Sequence, residues 1–245
     1  MIKYKKILIT GATSGIGLAL CEFLLNHKCT IIAVGRDESK ITQLQNQFIN
    51  SLKFVSLDLN DFSSYAKIFD EGLAGEKLDG FVHCAGIEET LPLTMYNPEN
   101  VAKIFNINVF SGIELLRSFS KKKYSNDGAS VVYISSVMGE LGQPGKIGYC
   151  STKSAILGVV KSSALEFAKR KFRVNAVSPG VVNTPMTQKL FSQIEEDNIE
   201  RIKQMHPLNI GEVEDVVPMI AFLLSDNSRW ITGQNIKIDG GYSIQ

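Results

Sequence analysis

Seven short apolar runs rich in β-branched residues recur along the chain: KKILIT, CTIIAVG, LKFVSLD, GFVHCAG, SVVYISS, FRVNAVSPG and NIKIDGG. Each has strand length, and several are apolar on both faces, as strands buried between two layers must be. Longer stretches with helical spacing separate them, among them 17–26, 99–123 and 149–171. Strand and helix therefore alternate from end to end. Parallel strands need crossover connections, so the alternation predicts an α/β fold with one doubly wound, seven-stranded parallel sheet and helices on both faces. No linker, repeat or low-complexity segment interrupts it, which predicts a single domain over residues 1–245.

Residues 183–207 (NTPMTQKLFSQIEEDNIERIKQMHP) depart from the alternation. They are helical in composition and have no strand partner. The segment reads either as a flap beside a site or as an ordinary pair of surface helices.

Composition narrows the function classes. The 26 basic and 25 acidic residues nearly cancel, whereas nucleic-acid or membrane partners favour a concentrated basic surface. Cys21, Cys29, Cys84 and Cys150 are scattered without metal-ligand spacing, as are His27, His83 and His206, so no metal site is expected. The N-terminus enters a strand-like run at once, and no apolar stretch reaches bilayer-spanning length. A soluble cytoplasmic protein is the expectation.

Directly after the first run comes TGATSGIG, Thr10 to Gly17, opening into a helix. Glycines let the backbone approach a pyrophosphate, and the helix N-terminus offers it unpaired N–H groups. Gly11, Gly15 and Gly17 do not make G-x-G-x-x-G, and no Gly-Lys-Ser/Thr follows, which argues against a triphosphate P-loop. A purely structural turn remains open. At the end of the second run, Arg36 follows Gly35. A guanidinium there clamps a ribose 2′-phosphate, favouring NADP(H) with NAD(H) possible. Asp37 behind it reads as a helix N-cap.

In YCSTK, Tyr149 and Lys153 stand four apart at the start of a long helix and share a face. An adjacent ammonium favours phenolate and lowers a phenol's pKa from its ordinary value near 10. Such a pair alone is common by chance. Ser136 ends the fifth run, on the side where ligands bind in such sheets. Asn108 lies inside the fourth long helix, where an amide needs a reason.

Together these residues resemble the short-chain dehydrogenase/reductase family, in its shorter subtype, over essentially the whole chain. The resemblance rests on TGATSGIG, LDL at 57–59, CAG at 84–86, Asn108, Ser136, YCSTK, NAVSPG at 175–180, Thr184-Pro185 and ITGQNIKIDGG. It implies a Rossmann-like fold and a hydride transfer between NADP(H) and a carbonyl or alcohol. Tyr149 would be the general acid in reduction. Lys153 would lower its pKa and hold the nicotinamide ribose, and Ser136 would hydrogen-bond the substrate carbonyl. Asn108 would hold a water linking Lys153 to solvent. The cofactor would meet Gly11, Thr13, Ser14, Gly15, Ile16 and Gly17, then Asp58 (at the adenine amine) and Leu59. Cys84, Ala85 and Gly86 would follow, with Pro179, Gly180, Val182 and Thr184 around the nicotinamide.

Two departures stand out. The family usually has asparagine at the place of Cys84, tying neighbouring strands, so a locally altered strand end is expected. Ser14 stands where many NADP(H)-using members carry a basic residue, which leaves Arg36 to support that cofactor alone.

Glu88, Glu89 and Glu140 read as a polar rim or as routine loop residues, and Met186, Leu190 and Phe191 as a cover for an acyl chain or as packing of the flap. Lys121–Lys123 and Lys169–Arg173 either dock an acidic acyl carrier protein or offset helix dipoles. Val159, Val160, Leu165 and Phe167 serve a core or an interface, the latter in a homotetramer that the resemblance implies. Substrates consistent with this reading are 3-oxoacyl thioesters, as for 3-oxoacyl-(acyl-carrier-protein) reductases, and ketones or keto-sugars. Two alternatives use the same fold: a non-catalytic nucleotide sensor or scaffold, and a sugar-nucleotide dehydratase or epimerase, whose chains are generally longer.

Overall fold

The computed structural model describes residues 2–244. Every predicted run is a strand: β1 (Lys6–Thr10), β2 (Thr30–Gly35), β3 (Leu52–Ser56), β4 (Leu78–His83), β5 (Ser125–Ile134), β6 (Arg173–Pro179) and β7 (Asn235–Ile238). They form one sheet in the order β3-β2-β1-β4-β5-β6-β7, with every pairing parallel. The helices are α1 (Gly15–Asn26), α2 (Thr42–Gln47), α3 (Ala66–Leu73), α4 (Pro98–Phe105), α5 (Ser111–Phe119), α6 (Ile147–Glu166), α7 (Pro185–Phe191), α8 (Glu196–Gln204) and α9 (Val213–Leu224).

Side chains alternate across the sheet and divide the core in two. Ile7 and Ile9 of β1, with Ile31, Val132 and Val177, pack against Leu20 and Leu24 of α1 and Val217 and Ile220 of α9. Leu8, Ile32, Phe81, Val131 and Val174 face the other layer, with Ile68 of α3, Leu115 of α5 and Ile156 and Val160 of α6. Burying each such side chain contributes about 1.5–3 kcal/mol. Val160 is thus core, whereas Leu165 on the same helix is 82% exposed.

The stretch 99–123, which reads as one helix, is α4 and α5 joined by a π-helical turn, Asn106–Phe110. The stretch 149–171 is α6 and a short 3₁₀ turn, closed where Lys171 turns left-handed at φ 57°. α7 and α8 occupy 183–207, and the two ends of this excursion are pinned together. The Asn183 N–H donates to the Gly211 carbonyl (2.8 Å), and the Gly211 N–H to that of Val181 (3.1 Å).

The chain winds from β1 outward to β3, then returns to place β4 on β1's other side. Crossovers leaving β1 and β4 diverge there, opening a crevice beyond their carboxyl ends. No helix among the described residues is long and apolar enough to cross a membrane.

Candidate active site

A cleft of about 590 Å³ occupies that crevice. Its floor is Gly11, Ser14–Gly17 and Cys84–Gly86. Ser136, Tyr149 and Lys153 form one wall, and Pro179–Val182 with Thr184 another. Met186, Leu190 and Met205 overhang it from the 183–207 excursion.

The glycine-rich turn is shaped for a close-lying group. Gly11 adopts φ +65°, and a Cβ there would stand 2.8 Å from the Ala85 nitrogen. A Cβ on Gly17 would collide with the Gly11 carbonyl oxygen. Ser14 caps α1 in an extended conformation, yet its side chain makes no capping hydrogen bond. The first N–H groups of α1 therefore keep their donors for an anion, and the cradle fits a dinucleotide pyrophosphate. Thr13 packs beside Gly35, outside the cleft wall.

Arg36, Asp58 and Leu59 lie farther along, past the ends of β2 and β3 and outside the wall of this cleft. Arg36 is exposed. Asp58 Oδ1 accepts the N–H and side-chain amide of Asn60, each at 3.0 Å. Asp37 caps the following 3₁₀ turn, accepting the Ser39 N–H at 3.1 Å, as an N-cap residue should.

Ser136 caps a short turn, accepting the Met138 N–H at 3.2 Å, and hydrogen-bonds Tyr149. Tyr149 opens α6, and Lys153 one turn on places its ammonium 5.5 Å from the phenol ring centre. Lys153 Nζ donates to the Ile134 carbonyl at 2.8 Å. The pKa logic differs from the expectation. Burial raises the Tyr149 phenol to about 12, with Ser136 opposing, and burial lowers Lys153 to about 8. The Lys153 ammonium sits toward the ring face and the Ile134 carbonyl, so the protein alone does not bring the phenol down.

Asn108 belongs to the π-helical turn and is fully buried. Its Oδ1 accepts the Ile87 N–H (2.8 Å), while Nδ2 donates to the Ile87 carbonyl (3.0 Å) and to Thr152 Oγ1 (3.0 Å). The side chain thus clips the loop after β4 to α6. π-turns recur at functional sites because the extra residue re-aims backbone and side chains.

Cys84 does not disturb the strand end. Thr10 and His83 remain in register, and the tie comes from the neighbouring residue. Thr10 Oγ1 receives the Ala85 N–H (3.3 Å) and lies 2.8 Å from His83 Nδ1, to which it donates when the imidazole proton is on Nε2. Ser111 donates to the Ile107 carbonyl (2.7 Å), so it accepts from Nε2–H across 3.3 Å. His83 is neutral with its proton on Nε2, and burial followed by the Lys153 charge lowers its pKa to about 3. Cys84 itself is pushed up to about 12 by burial.

Beyond Pro179 and Gly180, the Val182 carbonyl accepts the Thr187 hydroxyl at 2.6 Å, and Thr184 caps α7. His206 Nε2 accepts the Val181 N–H (3.1 Å), and its Nδ1 donates to Ile202 of α8 (2.7 Å).

Several pocket and surface readings change. Glu140 is held by Lys237 (2.6 Å) and Asn235 (2.8 Å). Arg173 is buried in β6, donating to the Leu223 and Ser225 carbonyls, and Arg170 pairs with Asp127. Of residues 169–173, Arg170 and Arg173 are thus committed internally, whereas Lys169 and Lys171 are exposed. No spacing or motif signals His83 or His206 beyond their dispersed positions, nor Lys146, which forms a nearly buried ion pair with Glu88 in the cleft wall.

Comparison with known proteins agrees with this geometry. The family model described as enoyl-(acyl carrier protein) reductase matches residues 11–243. The 3-oxoacyl-(acyl-carrier-protein) reductase FabG of Rickettsia felis is 36% identical, over 97% of this chain and 96% of the relative. Among solved structures, ElxO with NADP bound superposes with a TM-score of 0.85 at 30% identity, covering 99% of this chain and 100% of its own. A putative NAD(P)-dependent gluconate 5-dehydrogenase from Beutenbergia cavernae, with bound NADP, gives 0.93 at 26%, covering 100% and 98%. With a family model matched from the glycine-rich turn to beyond the last strand, and the same fold throughout, the chain belongs to the short-chain dehydrogenase/reductase family.

Proposed function

We propose that the protein is an NADP(H)-dependent reductase of a carbonyl compound, with 3-oxoacyl thioesters as the leading substrate class. The observation that carries this reading is the convergence of Ser136, Tyr149 and Lys153 beside the cradle in one cleft. The glycine-rich turn and the first N–H groups of α1 would hold the pyrophosphate of a nicotinamide cofactor, whose chemistry would be to supply or take the hydride. The Ser136 hydroxyl stabilises charge developing on the carbonyl oxygen, and the Tyr149 phenol delivers the proton. With a pKa of about 12 the phenol stays protonated at neutral pH, as an acid in reduction requires. Lys153, held by the Ile134 carbonyl, lies where its charge favours phenolate once the proton has left. Asn108 fixes the loop around Gly86, whose Cβ would sit 3.5 Å from Lys153 Nζ.

NADP(H) is preferred on account of Arg36, and the NADP named for ElxO and the Beutenbergia protein supports it. Cys84, Ala85, Gly86, Pro179, Gly180, Val182 and Thr184 would border the nicotinamide half, with Asp58 and Leu59 at the adenine. Residues 183–207 serve as a flap, with Met186, Leu190 and Met205 over the substrate. The Rickettsia relative acts on a 3-oxoacyl group carried by a protein. With Arg170 and Arg173 committed internally, a carrier protein would have to use other basic residues. A homotetramer suits Phe110, Ile113 and Leu165, which expose apolar side chains on or beside the long helices. Four free thiols suit a reducing cytoplasm.

The test is nicotinamide oxidation with NADPH or NADH and a panel of 3-oxoacyl thioesters, keto-sugars, ketones and a 2-enoyl thioester. Tyr149→Phe should keep cofactor affinity and lose turnover by about 10²–10⁴-fold. Tight NADPH binding with no turnover on any member of a broad panel would favour the sensor reading instead.

A further inference from the structure

Lys146 and Glu88 face each other where the loop after β4 meets the approach to α6. Their side chains are only 7% and 13% exposed, and both line the cleft. The Lys146 ammonium lies 5.9 Å from the centre of the Tyr149 ring. Glu88 Oε1 also accepts the Thr90 hydroxyl at 2.6 Å, so the carboxylate is fixed from two sides.

A staple between loops does not account for this pair. The Leu91 N–H already joins the two segments by donating to the Gly145 carbonyl at 2.8 Å. Removing two charges from water is costly, and an apolar pair of similar size would hold the loops as well or better. Beside the pair the mouth is lined by the apolar Met138, Met186, Leu190 and Ile194, with the polar Gln143, Asn198 and Arg201 farther along its rim. A charged pair in such a wall is explained by what it offers a bound molecule. Lys146 uses one of its three N–H donors on Glu88, leaving donors for the cleft. Glu88 cancels its charge, so an uncharged oxygen is welcome there and a carboxylate is not.

We propose that Glu88 and Lys146 form a specificity element, in which Lys146 donates a hydrogen bond to a second, uncharged oxygen of the substrate close to its reacting carbonyl. This rests on the reductase reading and sharpens it: 1,3-dicarbonyl esters and thioesters are preferred, and isolated ketones are poor substrates. Glu88 positions the ammonium and sets the charge of the subsite.

The experiment uses the full chain with ethyl acetoacetate and 2-heptanone, which match in length and differ in the second carbonyl. kcat/KM is measured with NADPH, and affinity for each ligand by calorimetry in the presence of NADP+. The wild type should favour ethyl acetoacetate in both measurements. In the double variant Lys146→Met, Glu88→Gln, which leaves no buried charge unpaired, that preference should fall about 10- to 100-fold. Glu88→Gln alone keeps the ammonium, and should retain the preference while shifting selectivity from the ester toward free acetoacetate. A calorimetric preference that is absent in the wild type, or unchanged in the double variant, overturns the inference. If neither compound is reduced while calorimetry shows the preference and its loss, the subsite stands, and turnover on the broad panel decides the reductase reading.

Discussion

The Thr10 hydroxyl donates to His83 Nδ1 at 2.8 Å, joining the ends of β1 and β4 through a neutral imidazole. Its folded pKa, about 3, lies below the ordinary 6.5, so between those values the unfolded chain binds a proton that the folded one refuses. The stabilisation is complete above pH 6.5 and is lost as pH falls toward 3, by up to about 1.4 kcal/mol per pH unit. Urea midpoints of the wild type and His83→Asn, measured from pH 4 to 7, should converge as pH falls. Parallel curves would refute the neutral assignment.

Lys153 is a buried cation whose ammonium donates a hydrogen bond to the Ile134 carbonyl. Lys153→Met should abolish turnover and raise the melting temperature at pH 7, because it removes a desolvated charge from an apolar setting. The sign follows from the pKa of about 8, below the ordinary lysine value of 10.5. The wild type carries the penalty below pH 8 and sheds it as pH rises toward 10.5. The gap between the two melting curves should shrink over that interval, and a gap independent of pH would contradict the assignment.

Arg36 is exposed at the end of β2. Arg36→Ala should weaken NADPH binding by about 10- to 100-fold, the loss of one charge-assisted contact, and leave NADH binding unchanged. Fluorescence titration with both cofactors decides it. Equal weakening of the two would place the side chain elsewhere than at a 2′-phosphate.

His206 carries the opposite tautomer to His83. Its Nδ1–H is committed to Ile202 of α8, and its Nε2 takes the Val181 N–H. His206→Leu cuts the tie to the loop after β6 and a second one, to Ile202, within the excursion itself. It should speed proteolysis within 183–207 and raise KM more than it lowers kcat. Unaltered cleavage rates would show that the Val182–Gly211 pairing alone anchors the segment.

All seven strands were legible because buried parallel strands announce themselves as apolar runs, and the glycine cradle because close approach excludes a Cβ. Tyr149 and Lys153 were legible because helical spacing puts them on one face. The π-helical turn at Asn108 was not, since an inserted residue leaves helical composition unchanged. The Glu88–Lys146 pair joins residues far apart in sequence, and no spacing rule foretells it. Arg173 misled for a related reason. Adjacent basic residues look alike on paper, but Arg173 lies in β6, where alternation turns it inward toward free carbonyls at the end of α9.

The π-helical turn also sets a limit on how this protein can vary. One residue more than an α-helix needs rotates everything beyond it by about 100°. Leu115, Leu116 and Phe119 face the core only with that offset in place. Deleting Ile107 would straighten the helix but turn either α4 or α5 away from its packing partner. Lengths elsewhere in surface loops are free to drift. Between Asn106 and Phe110 the count of residues is itself under constraint, whatever side chains occupy it.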